Sequence, residues 1–183
     1  FPFMGGEYFL PKPIIHIERE KEDTGDSRVK KAYKKLKYVP VTSFDDYLKG
    51  NLPTEAAGLL DGLGSYQMKT SAAIRGLEEA MPYRVRIFRF SKNCGLYIIC
   101  GYNGEKEKIM FEELMERLML EGIGGKRSAG FGRFECMPGK MDPLLEKRLK
   151  GDYKAFMTLS ISLPQEDEME EALEEANYLL QKR

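Results

Sequence analysis

One segment constrains this chain more than any other. Residues 122–132 read Gly-Ile-Gly-Gly-Lys-Arg-Ser-Ala-Gly-Phe-Gly, five glycines in eleven positions, and Arg133 follows directly. Lys126 and Arg127 lie inside it, and no acid occurs between 122 and 134. Glycine admits positive φ and lets another backbone come close. Successive exposed amides can then form an anion-binding concavity. Lys126 and Arg127 supply charge, and Ser128 supplies a hydroxyl donor, for phosphate oxygens. That chemistry suits a phosphodiester backbone held without base reading.

The flanks give the segment a context. Residues 105–121 are predicted to form a helix, because Phe111, Leu114, Met115 and Leu118 recur at helical spacing and Gly122 is a natural stop. Residues 131–137 are expected to be a strand, so the loop runs from helix to strand. Two nucleotide motifs fail here. A Walker loop needs a first glycine where Leu120 stands and Ser or Thr where Arg127 stands. A Rossmann fingerprint needs a glycine at Arg127 and the order strand then helix. On the residues alone, a glycine loop that only packs and a loop that binds phosphate or RNA both stay open, the second being favoured.

The rest of the second half has an α+β pattern. Residues 83–90 alternate Tyr83, Val85 and Ile87 with Arg84, Arg86 and Phe88, a strand with one basic face. Residues 96–100 form an apolar run that predicts a buried strand. A strand is also expected over 155–163. Pro164 then opens a last helix, whose acids at 166–168 suit its N-terminal end and whose apolar face is Met169, Leu173, Ala176 and Leu180.

The first third is broken by Pro2, Pro11, Pro13, Pro40 and Pro53. A short strand is expected over 14–19, an exposed charged stretch over 20–37, and a short helix over 43–49 with Ser43 as its cap. Residues 54–82 show no clear period, which predicts a chain break there. The chain opens Phe1-Pro2-Phe3 without methionine, so further N-terminal sequence is expected.

Charge and cysteine exclude several classes. Lys+Arg and Asp+Glu both number 29, so nucleic-acid binding must come from local charge separation. Residues 28–37 carry six positive charges and no acid, and residues 166–175 carry seven acids and no base. Either run taken alone reads first as a solvated helix face. Cys94, Cys100 and Cys136 match neither a CxxC pair nor a zinc site. They are expected to be reduced thiols, with Cys94 and Cys100 as packing residues. No apolar run approaches the roughly 20 residues that span a bilayer.

No catalytic, cofactor or metal residue is assigned. His16 is the only histidine and is expected on an edge or surface. Asp45-Asp46 and the paired acids at 112–113 and 170–171 read as solvated helix faces. Met110, Met115 and Met119 are expected to pack beneath the loop. Tyr97 reads as core, and Phe131 is balanced between packing and stacking on a base.

The helix, the segment 122–135 and the following residues together resemble the signature loop of RAMP-superfamily CRISPR proteins. Three further stretches narrow the resemblance: Phe1-Pro-Phe with Tyr8-Phe-Leu-Pro-Lys-Pro13, Asn93-Cys-Gly-Leu-Tyr97, and Thr158-Leu-Ser-Ile-Ser-Leu-Pro164. Together they are similar to the Csm-type subunit that caps the 5′ handle of the guide RNA in type III-A effector complexes. The resemblance implies an α+β fold of two ferredoxin-like (RRM-like) domains, the first incomplete. Residues 1–82 would hold the partial N-terminal domain and 83–183 the C-terminal domain with the loop. The first strand and helix of the N-terminal domain are absent, and residues 69–82 match only in part.

The resemblance also implies a non-catalytic, cytoplasmic RNA-binding role without a cofactor. The partners would be the CRISPR RNA handle, the large polymerase-palm subunit and the backbone RAMP subunit. The RNA-binding residues would be Gly122, Gly124, Gly125, Lys126, Arg127, Ser128, Gly130, Phe131, Gly132 and Arg133, with Lys31, Lys34 and Lys35 extending the basic surface. The runner-up is a RAMP-type endoribonuclease that cuts precursor guide RNA through His16. A third reading is an architectural subunit whose loop packs on a neighbouring protein.

Overall fold

The computed structural model describes residues 1–15, 27–73, 81–174 and 176–179. The chain divides into two compact units, Phe1–Tyr97 with Lys150–Arg183, and Ile98–Leu149.

In the first unit, β1 (Pro2–Met4) and β2 (Glu7–Pro11) form a tight hairpin. Gly5 and Gly6 both have positive φ, as a two-residue turn of this kind requires. Helix α1 (Ser27–Lys35), strand β3 (Tyr38–Pro40) and helix α2 (Phe44–Leu48) follow. A 3-10 segment, Thr54–Leu63, leads into β4 (Gly64–Ala73), which pairs with β5 (Met81–Phe90). Strand β6 (Cys94–Leu96) returns to β1, giving a four-stranded antiparallel sheet in the order β3-β2-β1-β6.

The core lies around β2 and β3. Phe9, Leu10, Leu36, Val39, Val41, Phe44, Tyr47 and Leu52 are buried. Phe9 and Leu10 are neighbours on one strand and so point to opposite faces; both faces of this central strand are covered. Burying each large side chain contributes about 1.5–3 kcal/mol. Tyr33 donates its hydroxyl to the Leu52 carbonyl at 2.8 Å and stacks on Tyr47 at 6.0 Å, tying α1 to α2 and the chain beyond it. Tyr97 donates to the Phe9 carbonyl at 2.9 Å and sets its ring edge against Tyr8.

In the second unit, α3 (Glu105–Glu121) runs into the glycine segment, which holds one 3-10 turn, Arg127–Ala129. Helix α4 (Pro143–Lys150) follows, with Leu145 buried. Asp142 Oδ1 accepts from the Leu144 and Leu145 amides at 2.9 and 3.2 Å, the N-cap bond that frees helices from unpaired amides. The last helix, α5 (Met169–Glu174), belongs to the first unit.

The structure thus mixes helix and sheet, as the α+β reading expected. Several elements differ from the sequence expectation. Residues 131–137 and 155–163 are not strands. Residues 157–163 alternate apolar and polar residues, but a strand exists only where a second backbone completes its ladder, and no described segment pairs with either stretch. Phe156, Ile161 and Leu163 are instead exposed. Of the buried strand expected at 96–100 only Leu96 is in a strand, at the end of β6, and Leu96, Ile98 and Cys100 are exposed. The helix expected from Pro164 begins only at Met169, after a turn. Residues 54–73, which show no clear period in the sequence, form the 3-10 segment and β4. Ser43 sits at the N-cap of α2 without a side-chain capping bond. Ile14 and Ile15 are not in a strand, and the remainder of that expected strand lies outside the described residues. Position 82/83 falls inside β5. Among the described residues, no helix is long and apolar enough to cross a membrane.

Candidate nucleic-acid interface

Helix α3 delivers the loop. Glu105 and Glu107 occupy its first turn, where carboxylates favour the dipole, and Glu105 pairs with Lys108 at 3.1 Å. Phe111, Met115 and Leu118 are half-buried, as their spacing predicted, whereas Leu114 and Met110 are exposed. The helix ends at Gly122, whose amide donates to the Leu118 carbonyl at 2.8 Å. Beyond the loop, the Cys136 amide points at the Met119 sulfur at 2.9 Å, so a thioether takes the place of a sheet acceptor.

The loop is pinched at a neck, where the Ile123 amide donates to the Gly132 carbonyl at 2.9 Å. Inside, the amides of Ala129 and Gly130 donate to the carbonyls of Lys126 and Arg127 at 3.0 and 2.9 Å. Lys126 adopts the left-handed conformation with φ 60 and ψ 30, uncommon for a residue with a side chain.

The five glycines fall into three groups. A Cβ on Gly122 would lie 2.8 Å from the Gly132 carbonyl carbon, and one on Gly132 would collide with the Ile123 carbonyl oxygen. These two close the neck. Gly124 and Gly130 have open space but positive φ. Gly125 has neither constraint: nothing lies within 4 Å of an added Cβ, and its φ is outside the left-handed region. No contact among the described residues requires a glycine there.

Gly124 and Gly125 are exposed, and their amides have no acceptor among the described residues. Lys126, Arg127, Ser128 and Arg133 are exposed, and Phe131 is half-buried. Arg127 Nη1 lies 3.7 Å from Glu121 Oε2. Free amides, a hydroxyl and cations therefore converge on one short, anchored segment, an arrangement able to hold an anion.

A second basic surface arises on the β4–β5 ribbon. Its twenty residues include Lys69, Arg84, Arg86 and Arg89 and no acid. The register places Tyr66 opposite Phe88 and Met68 opposite Arg86, so Tyr66, Met68, Arg84, Arg86, Phe88 and Phe90 share one face. Arg86 lies over the Tyr66 ring at 3.8 Å, and Tyr66–Phe88 and Phe88–Phe90 are edge-to-face at 5.0 and 5.1 Å. Tyr66, Met68, Phe88 and Phe90 are all exposed. Sequence reasoning found the basic strand β5 but missed β4. The available signal was the alternation of Tyr66 and Met68 with Gln67 and Lys69.

Lys31, Lys34 and Lys35 lie exposed on α1, in the first unit, whereas the loop belongs to the second. His16 lies outside the described residues. Asp45 and Asp46 are exposed in the first turn of α2. Among the described residues, no group of three His, Cys, Asp or Glu side chains could hold a metal.

No protein-family model matches the chain. Individual proteins do. CRISPR system Cms protein Csm4 of Mycobacterium tuberculosis is 33% identical over 184 residues, covering 100% of this chain. The protein of that name from Streptococcus thermophilus is 35% identical over 189 residues, again covering the whole chain. That of Methanocaldococcus jannaschii is 28% identical over 100 residues, half of this chain. The chain spans 58% of the length of the first two relatives. With its whole length aligned at this identity, the chain is a homologue of the Csm4 proteins of CRISPR systems.

Proposed function

We propose that this chain is the RNA-holding part of a type III-A CRISPR effector subunit, binding the 5′ handle of CRISPR RNA through residues 122–133. The observation that carries this reading is Gly125. Its glycine is required by nothing among the described residues, and it stands with free amides beside Lys126 and Arg127. Close approach of an outside backbone accounts for it, and a phosphodiester supplies both the shape and the charge. The names of the Csm4 relatives support the same system.

In this reading the amides of Gly124 and Gly125 and the side chains of Lys126, Arg127, Ser128 and Arg133 bind phosphates, which fix position without reading sequence. The ribbon face adds a different contact: its exposed rings suit stacking on unpaired bases, and Arg84 and Arg86 the adjoining phosphates. Lys31, Lys34 and Lys35 offer a further basic patch on the first unit. The reading further includes two ferredoxin-like domains, a bridging role between the polymerase-palm and backbone RAMP subunits, and a cytoplasmic location. The chain itself performs no chemistry; cleavage belongs to partner subunits.

The test is handle-RNA affinity in the assembled complex. Lys126→Ala/Arg127→Ala should weaken it and flatten its salt dependence. Unchanged affinity would show that the loop does not hold the RNA.

A further inference from the structure

We infer that Glu121 is a built-in competitor for the loop's anion site: its carboxylate engages Arg127 in the free protein and is displaced when an RNA phosphate arrives. This rests on the reading of the loop as an RNA-binding element.

Glu121 is the last residue of α3, and that helix has no basic residue in its last turn. The C-terminal end of a helix carries partial negative charge, so a carboxylate there is electrostatically misplaced and a cation would suit the position. Helix stability therefore does not explain the residue. Its partner does: Oε2 faces Arg127 Nη1 at 3.7 Å across the loop neck, and Glu121 is the nearest acid before a stretch that holds none until Glu135.

The geometry of the pair is that of a contact made to be exchanged. At 3.7 Å the two groups attract without a hydrogen bond, and both side chains are more than half exposed, so solvent screens them. A phosphate oxygen at Arg127 would form a charge-assisted hydrogen bond at about 2.7–2.9 Å and outcompete the carboxylate. An anion that takes Arg127 Nη1 competes with Glu121 for it. A ligand with a single contact loses a large share of its affinity to that exchange. An RNA anchored at several points loses the same amount from a larger total. Glu121 thus keeps the loop's hold on any anion, RNA included, weaker than its cations alone would give.

The experiment uses the full-length protein and a fluorescent single-stranded RNA of handle length, titrated at low and high salt. Glu121→Gln keeps the side-chain shape and removes the charge. It should tighten binding by about two- to five-fold at low salt, as expected for release of an exposed ion pair. The gain should shrink at high salt and vanish when Arg127→Ala is also present. A tether that merely holds the loop in shape predicts the opposite sign, since its loss would loosen the site and weaken binding. Unchanged or weaker binding by Glu121→Gln overturns the inference, as does a gain that persists undiminished without Arg127. If Lys126→Ala/Arg127→Ala leaves affinity unchanged, the loop reading fails and the inference with it. If that variant weakens binding while Glu121→Gln is neutral, only the competitor role is refuted.

Discussion

Replacing Gly125 by alanine separates a glycine kept for folding from one kept for a ligand. The added Cβ would meet nothing within 4 Å, and the backbone there is outside the left-handed region. The folded state should accept the methyl without strain, and the unfolded chain loses freedom, so stability should rise by about 0.4–1 kcal/mol. For a protein of this size that corresponds to a melting temperature higher by roughly 1–4 °C. RNA affinity should fall, because the methyl occupies the approach to the Gly124 and Gly125 amides. Losing one hydrogen bond to a charged phosphate costs about 1.5–3 kcal/mol, roughly tenfold to a hundredfold in affinity. Gly132→Ala is the control. It forces a side chain into a φ of +79 and against the Ile123 carbonyl, opening the neck bond. The left-handed penalty of about 1–2 kcal/mol and the lost bond of about 0.5–1.5 kcal/mol should lower the melting temperature by several degrees. Melting curves and RNA titrations of both variants read the contrast. A Gly125→Ala protein that melts higher and binds RNA with undiminished affinity would refute the reasoning.

Four other outcomes follow from the same structure. Lys126→Ala/Arg127→Ala should reduce the slope of log affinity against log salt by about 1.4, at roughly 0.7 per phosphate contact on a single strand, measured by titration across a salt series. Tyr66→Ala should cost about 1–3 kcal/mol of single-stranded RNA binding with little change in melting, because the ring is exposed although Arg86 lies over one of its faces. Phe9→Ala should destabilise the first unit by about 3–5 kcal/mol in chemical denaturation, since the ring is buried at the centre of the sheet. His16→Ala should leave precursor guide-RNA processing unaltered in a cleavage assay; loss of cutting would favour the endoribonuclease reading.

What the sequence revealed depended on how local each signal was. Helix α3 was legible because its apolar spacing, its acidic start and its glycine stop are all written within the helix itself. The turn of the first hairpin, Gly5-Gly6, had an equally local signal that went unread. So did α4, where Asp142 caps and Pro143 takes the first helical position. Strand β5 was legible from its alternation, yet β4 was not. Its alternation is confined to Tyr66–Lys69, and its ten-residue pairing with β5 is what makes the whole segment a strand. The reverse error occurred at 155–163, where alternation was present and a partner strand was not, and at 131–137, which also has no partner strand among the described residues. The loop itself was read correctly as a basic, glycine-rich connection after a helix. Its internal division was beyond reach, because only three-dimensional neighbours distinguish Gly132, which closes the neck, from Gly125, which faces open space.

The central claim is that residues 122–133 lie on the guide-RNA backbone. Hydroxyl-radical footprinting of CRISPR RNA in the assembled complex tests it most directly. The account predicts protection of consecutive handle nucleotides in the complex carrying the unaltered chain, and renewed cleavage at those nucleotides alone when Lys126 and Arg127 are both alanine. Identical footprints from the two complexes would contradict it.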